Sequence, residues 1–191
     1  RDDLQERFMP VYFQQLDTFY QRKIPLIGYI SLPNSTELIN LVRAKFCNFE
    51  PSSEKFGELL EITDADLMAK ILQPLQFTNW FKSNVSAAKI YPDHLRPYFA
   101  YYHTGNEIAR IELPGWLMKN PELLKTCMQV VMDQALKGFG YPVALAEAHQ
   151  QAVIKSSDRE FFYQVINQVV KADMGKLNIS RKLSQKRVMH I

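Results

Sequence analysis

Leu4, Phe8, Val11, Tyr12, Leu16 and Phe19 recur at helical spacing over residues 2–21, which predicts an amphipathic helix that Pro10 kinks or restarts. The apolar run Ile24 to Leu32 carries proline near its start and just past its end, and reads as a short buried strand. Asn34 or Ser35 is placed to cap a following helix that reaches Phe46, with Leu38, Ile39, Leu41 and Val42 on its apolar side. Residues 48–61 read as a loop. Thr63 then caps a helix bearing Leu67, Met68, Ile71 and Leu72, which stops before Pro74.

Residues 75–96 carry no clear period, and Trp80 to Ile90 is compatible with a helix. Beyond Pro97 the pattern sharpens. Tyr98 to His103 is aromatic, Thr104-Gly105-Asn106 is a turn, and Glu107 to Leu113 alternates, which together predict a β-hairpin. In its second strand Ala109, Ile111 and Leu113 share one face, and Arg110 and Glu112 the other. Three helices are expected to close the chain. The first runs from Pro121 to Lys137 and ends at Gly138; the second starts at Pro142; the third starts at Ser157, with Glu160 completing a capping box. Strand, helix, hairpin and helices in that order predict an α/β fold, a mixed sheet flanked by helices.

Composition narrows the class. With 191 residues, 47% hydrophobic and 23% charged, the chain suits one globular domain. No apolar stretch approaches the roughly 18–20 residues that a membrane-spanning helix needs. The opening Arg1-Asp2-Asp3 has no signal-peptide character, and Cys47 and Cys127 form no CxxC pair, so a reducing cytoplasm is the expected location. The net charge of +3 is unevenly spread. Residues 175–191 hold Lys176, Arg181, Lys182, Lys186 and Arg187 with no acid, whereas the remainder holds more acids than bases. Such a tail either sits on phosphates or is a solvated terminus.

Nucleotide-binding glycine loops, GxSxG, HExxH and EF-hand loops are absent, and His94, His103, His149 and His190 share no metal-ligand spacing. His149 shares a helical face with Leu145, Ala146, Ala152 and Val153, and reads either as a packed core histidine or as a ligand or proton carrier. Tyr141 lies at the entrance of that helix, either packed or free to reach a phosphate. Arg159, between Asp158 and Glu160, either pairs with them or faces nucleic acid. The aromatics from Tyr98 to Tyr102 either stack on bases or fill a core.

The segment Gly140-Tyr141-Pro142-Val143-Ala144-Leu145-Ala146-Glu147-Ala148-His149, followed by Asp158-Arg159-Glu160-Phe161-Phe162, resembles the C-terminal signature of NurA nucleases. Gly28-Tyr29-Ile30-Ser31, Leu38 to Arg43, Thr63-Asp64, Gly105 to Pro114, Ser180-Arg181-Lys182 and Lys186-Arg187 fit the same family in order. The resemblance implies an RNase H-like core and hydrolysis of DNA with a divalent metal, Mn2+ or else Mg2+, in double-strand break repair and end resection. It also implies a homodimer docked on a hexameric HerA-type ATPase. Tyr141 and His149 match the family's C-terminal active-site tyrosine and histidine, His149 as a metal ligand. Arg159, Lys182, Lys186 and Arg187 become the expected DNA contacts.

One departure stands out. The family's essential carboxylates precede the strand matched by Ile24–Leu32, and this chain contains no Asp-Gly dipeptide. Together with the start at Arg1, this reads as residues 1–191 forming the C-terminal part of a single nuclease domain. Two readings follow: a nuclease whose carboxylates lie elsewhere, or a non-catalytic remnant that binds DNA or the ATPase. An unrelated α/β interaction domain is the third.

Overall fold

The aromatic run after Pro97 and the alternating run after Glu107 form the centre of the fold as an antiparallel hairpin. The structure is a computed structural model that describes residues 2–49, 61–153 and 156–173. Strands β3 (Pro97–His103) and β4 (Ile108–Pro114) pair over their full length, with Tyr101 opposite Arg110. Gly105 supplies the positive φ of 103° at the turn, and the Asn106 and Glu107 amides both donate to the Thr104 hydroxyl. β1 (Gly28–Ile30) adds to β4 and β2 (Phe81–Lys82) to β3, giving the order β1-β4-β3-β2. Every ladder among these strands is antiparallel.

Two sequence expectations are corrected here. Only Gly28–Ile30 of the run 24–32 is paired: Pro25 has no amide hydrogen to give a ladder, and Leu32 turns the chain with a φ of 45°. Trp80 to Ile90 is no α-helix. It contains the edge strand β2 and then a 3-10 turn, Ser86–Ile90, after the Ser83 amide has extended the pairing to the Pro97 carbonyl.

Both faces of the hairpin are covered. On one, Phe99, Tyr101 and Ile108 pack with Leu38 of α2 (Glu37–Phe46) and Met68 of α3 (Asp64–Ile71). On the other, Tyr102, Ala109 and Ile111 meet Val131 and Ala135 of α4 (Pro121–Lys137), and Leu113 packs with Leu95, Trp116 and Leu117. The predicted alternation in β4 is therefore present, but its polar face is also inside: Arg110 is only 4% exposed. Helix α1 (Asp2–Gln21) is continuous through Pro10 and lends Phe13 and Leu16 to the second face.

Local signals set most helix ends. α3 has the predicted Thr63 cap, closed reciprocally by Asp66. α4 starts with Asn120 accepting from the Leu123 amide, has Pro121 first, and stops at Gly138. The cap expected of α2 is absent: Ser35 spends its hydroxyl on Asp64 and Tyr101 instead. The buried face of α2 is Leu38, Ile39 and Arg43, while Leu41 and Val42 are exposed. α5 (Val143–Ala152) and α6 (Ser156–Asp173) follow; α6 already begins at Ser156, so Ser157 lies within its first turn, and most of the 48–61 loop lies outside the described residues. The chain falls into two compact units, Arg1–Glu147 and Ala148–Ile191. Among the described residues no helix is long and apolar enough to cross a membrane.

The capping box gives a pH-dependent prediction. Hydrogen bonds from the Thr63 hydroxyl and then from its amide hold the Asp66 carboxyl below the usual aspartate range. A folded-state value that is depressed contributes stability above the unfolded value, and that stability is lost as pH falls through the depressed one. Thr63→Val should therefore move the NMR titration midpoint of Asp66 upward. An unmoved midpoint would mean the Thr63 side chain does not hold the carboxylate.

Candidate functional site

Tyr141 is placed by a turn that needs glycine at position 140. The Gly140 amide donates to the Ala135 carbonyl at 2.8 Å, ending α4, and Phe139 and Gly140 both take positive φ. A Cβ at Gly140 would lie 2.6 Å from the Asn106 amide nitrogen, which donates to the Phe139 carbonyl. The turn is thus clamped onto the tip of the β3–β4 hairpin. Gln134 of α4 reaches over it and accepts from the Ala144 amide at 3.0 Å, tying down the start of α5.

The Tyr141 ring leaves this turn and meets the edge of Tyr29, with centroids 5.5 Å apart and planes at 90°. Tyr29 lies on β1 opposite Ile111, so it faces the α4 side of the sheet. Its hydroxyl donates to Glu107 Oε1 at 3.0 Å, and the Ser31 hydroxyl donates to Glu107 Oε2 at 2.7 Å. Burial, the charge of Glu107 and its hydrogen bond all raise the Tyr29 pKa, so this phenol remains a proton donor. Tyr102, fully buried on the same face, has a hydroxyl without a partner among the described residues.

A second polar cluster fills the opposite face. Asp64, at the start of α3, accepts from the Leu38 and Ile39 amides at the α2 N-terminus, from Ser35, and from Tyr101 at 2.7 Å. Burial first, and then the hydrogen bond to Asp64, push the Tyr101 pKa up to about 12, although Ser35 opposes this. Arg110 donates to Glu37 at 2.7 Å, to Glu112 at 2.8 Å and to Ser35 at 2.9 Å, and stacks 3.8 Å from the Phe99 ring centre. Burial opposes its charge, but the Glu37, Tyr101 and Glu112 contacts hold its pKa above the ordinary arginine value. These contacts tie α2 and α3 to the sheet.

The sequence candidates are placed differently from one another. Tyr141 is 36% exposed beside Tyr29 in the first unit. His149 lies on α5 within the second unit and is exposed. α5 buries none of its residues, and Leu145 and Val153 are exposed, so the expected inward apolar face is not formed. Four of its ten residues are alanines, whose small apolar area offers little to bury. Arg159 is exposed on α6, while Lys182, Lys186 and Arg187 lie outside the described residues. The Tyr98–Tyr102 aromatics are core: Phe99, Tyr101 and Tyr102 are buried.

Tyr29, Ser31, Asn106 and Glu107 were not singled out by the sequence as site residues. Their signal in the sequence was their place in two segments that fit the family pattern, Gly28 to Ser31 and Gly105 to Pro114, with no role attached to any one residue. A hard divalent cation needs several convergent oxygen ligands. Among the described residues no three His, Cys, Asp or Glu side chains gather, and both Glu107 oxygens already accept hydroxyls. The described residues do not by themselves fit such an ion.

A family model described as NurA domain matches residues 3–154, a range that contains Tyr141 and His149 and ends before Arg159. No curated protein and no solved structure matches this chain significantly.

Proposed function

The chain belongs to the NurA family, and from that premise we propose that it serves a divalent-metal-dependent deoxyribonuclease with an RNase H-like core. Its role is in double-strand break repair and end resection in the cytoplasm, as a homodimer working with a HerA-type ATPase. The observation that supports this most directly is the family match across the segment bearing Tyr141 and His149.

In this reading Tyr141 donates its hydroxyl to a DNA phosphate, a contact its partly exposed position permits. His149, also exposed, is a neutral imidazole ligand to Mn2+, with Mg2+ as the other candidate ion. Other groups then supply the remaining metal ligands. Arg159 and the tail residues Lys182, Lys186 and Arg187 bind phosphates.

The test uses the intact protein and linear duplex DNA. Cleavage should require Mn2+ or Mg2+ and should stop on adding a chelator. Neutralising Lys182, Lys186 and Arg187 together should flatten the salt dependence of DNA binding by about 0.9 in log–log slope for each phosphate no longer neutralised. Intact DNA with either metal, alongside salt-dependent binding, would replace the nuclease by a non-catalytic DNA-binding member of the family. An unchanged salt slope would remove the tail from the interface.

A further inference from the structure

The Tyr141 ring is fixed while its hydroxyl is unspent. The Gly140 turn and the Asn106 clamp hold its backbone, and the edge of Tyr29 holds the ring. Its hydroxyl makes no hydrogen bond among the described residues, and the side chain reaches the surface. A phenol oriented this way is preorganised to donate to an incoming oxygen, because the cost of ordering the ring has been met by the fold.

Tyr29 is itself held from outside its own strand. Glu107 accepts from both Tyr29 and Ser31, two positions apart on the β1 side of the sheet, using one carboxylate oxygen for each. The Tyr29 hydroxyl also lies 3.5 Å from the Gly140 carbonyl, so the same side chain touches the turn that carries Tyr141. Tyr29 also packs on the core beside Tyr102, Ala109 and Ile111, so its ring is held from below as well as by Glu107. Glu107 lies at the hairpin turn, ahead of the buried run that begins at Ile108.

We propose that Glu107, acting through Tyr29, positions the Tyr141 hydroxyl for contact with a DNA phosphate oxygen. Glu107 and Tyr29 are positioning residues, and the inference rests on the reading of Tyr141 given above. Glu107 sets the Tyr29 rotamer, Tyr29 sets the Tyr141 ring, and Ser31 fixes the second carboxylate oxygen so that Glu107 cannot swing. A shift of about 1 Å in a positioned group is enough to cost up to roughly a hundredfold in rate.

The decisive experiment is a double-mutant cycle in the intact protein, read as kcat and KM for Mn2+-dependent DNA cleavage. Tyr141→Phe should lower kcat tenfold or more. Glu107→Ala should lower kcat by a similar factor with KM little changed. Glu107→Gln, which keeps an acceptor for Tyr29, should restore most of the loss. In the Tyr141→Phe background Glu107→Ala should cost almost nothing further, because its effect runs through the missing hydroxyl. Independent, multiplying losses would overturn the positioning role and leave Glu107 merely structural. A Tyr141→Phe protein with full activity would instead remove Tyr141 from the site, and the nuclease reading of that residue with it. If the protein retains DNA without cutting it, the same cycle is read on affinity for a DNA oligonucleotide, with the same two outcomes. As a readout independent of activity, the Tyr141 ring resonances of the full chain should move toward free-tyrosine positions in Glu107→Ala but not in Glu107→Gln. Unmoved resonances in Glu107→Ala would also overturn the proposal.

Discussion

Arg110→Ala should destabilise the first unit by about 3–5 kcal/mol, the range found when one partner of a buried ion pair is removed. Its guanidinium meets Glu37, Glu112, Ser35 and the Phe99 face together. Glu37 is the costly partner to strand, because its side chain is 16% exposed and its other hydrogen bonds are with Ser83 and the Asn84 amide. Glu112, at 33% exposure, keeps more water and contributes less to the loss. Arg110→Met would refill most of the volume against Phe99 but would leave Glu37 without its cation. It should therefore recover only part of the stability, and adding Glu37→Gln should recover more. Urea unfolding of the three variants and the parent separates these terms. A loss below about 1 kcal/mol for Arg110→Ala would show that water replaces the guanidinium and that the cluster does not lock α2 to the sheet.

What could be read from the sequence follows the range of the interactions. The hairpin around Gly105, the Thr63 cap and the span of α4 from Pro121 to Gly138 were all legible, because each rests on residues within a few positions of one another. The α/β class followed from their order. What failed depended on distant partners. Ser35 looked like a helix cap until Asp64, 29 positions away, claimed its hydroxyl. Leu41 and Val42 were placed on the apolar side of α2, yet they lie outside, while Arg43 is buried and donates to the Ile62 carbonyl. Arg110 and Glu112 followed the predicted alternation, but alternation alone does not show that their face is covered and that Arg110 meets Glu37 there. The candidate site shows the same division. Tyr141 enters as a candidate through its motif, whereas Glu107 reaches Tyr29 across 78 positions of sequence, and no linear spacing announces such a pairing.

His149→Ala in the intact protein should abolish metal-dependent cleavage or lower it at least a hundredfold, with little change in melting temperature. Sequence pattern alone left two accounts of this histidine, a packed core residue and a functional one. The structure sharpens the contrast between them. An imidazole packed among Leu145, Ala146, Ala152 and Val153 would leave a cavity on truncation and cost stability. Here α5 buries none of its residues and His149 is exposed, so truncation removes little packing. Surface substitutions away from caps and networks usually change stability by no more than about 0.5 kcal/mol. Activity and stability should then separate, which they would not for a core histidine. A histidine that binds a metal does so through a ring nitrogen lone pair, which alanine cannot supply, so raising the Mn2+ concentration should not restore cleavage to His149→Ala. His149→Gln tests size against chemistry, since it keeps a polar side chain of similar reach but cannot supply an imidazole nitrogen, and it should stay as inactive as alanine. Cleavage rate, melting temperature and Mn2+ dependence measured on one preparation decide the matter: full cleavage by a folded His149→Ala protein would take this residue out of the active site.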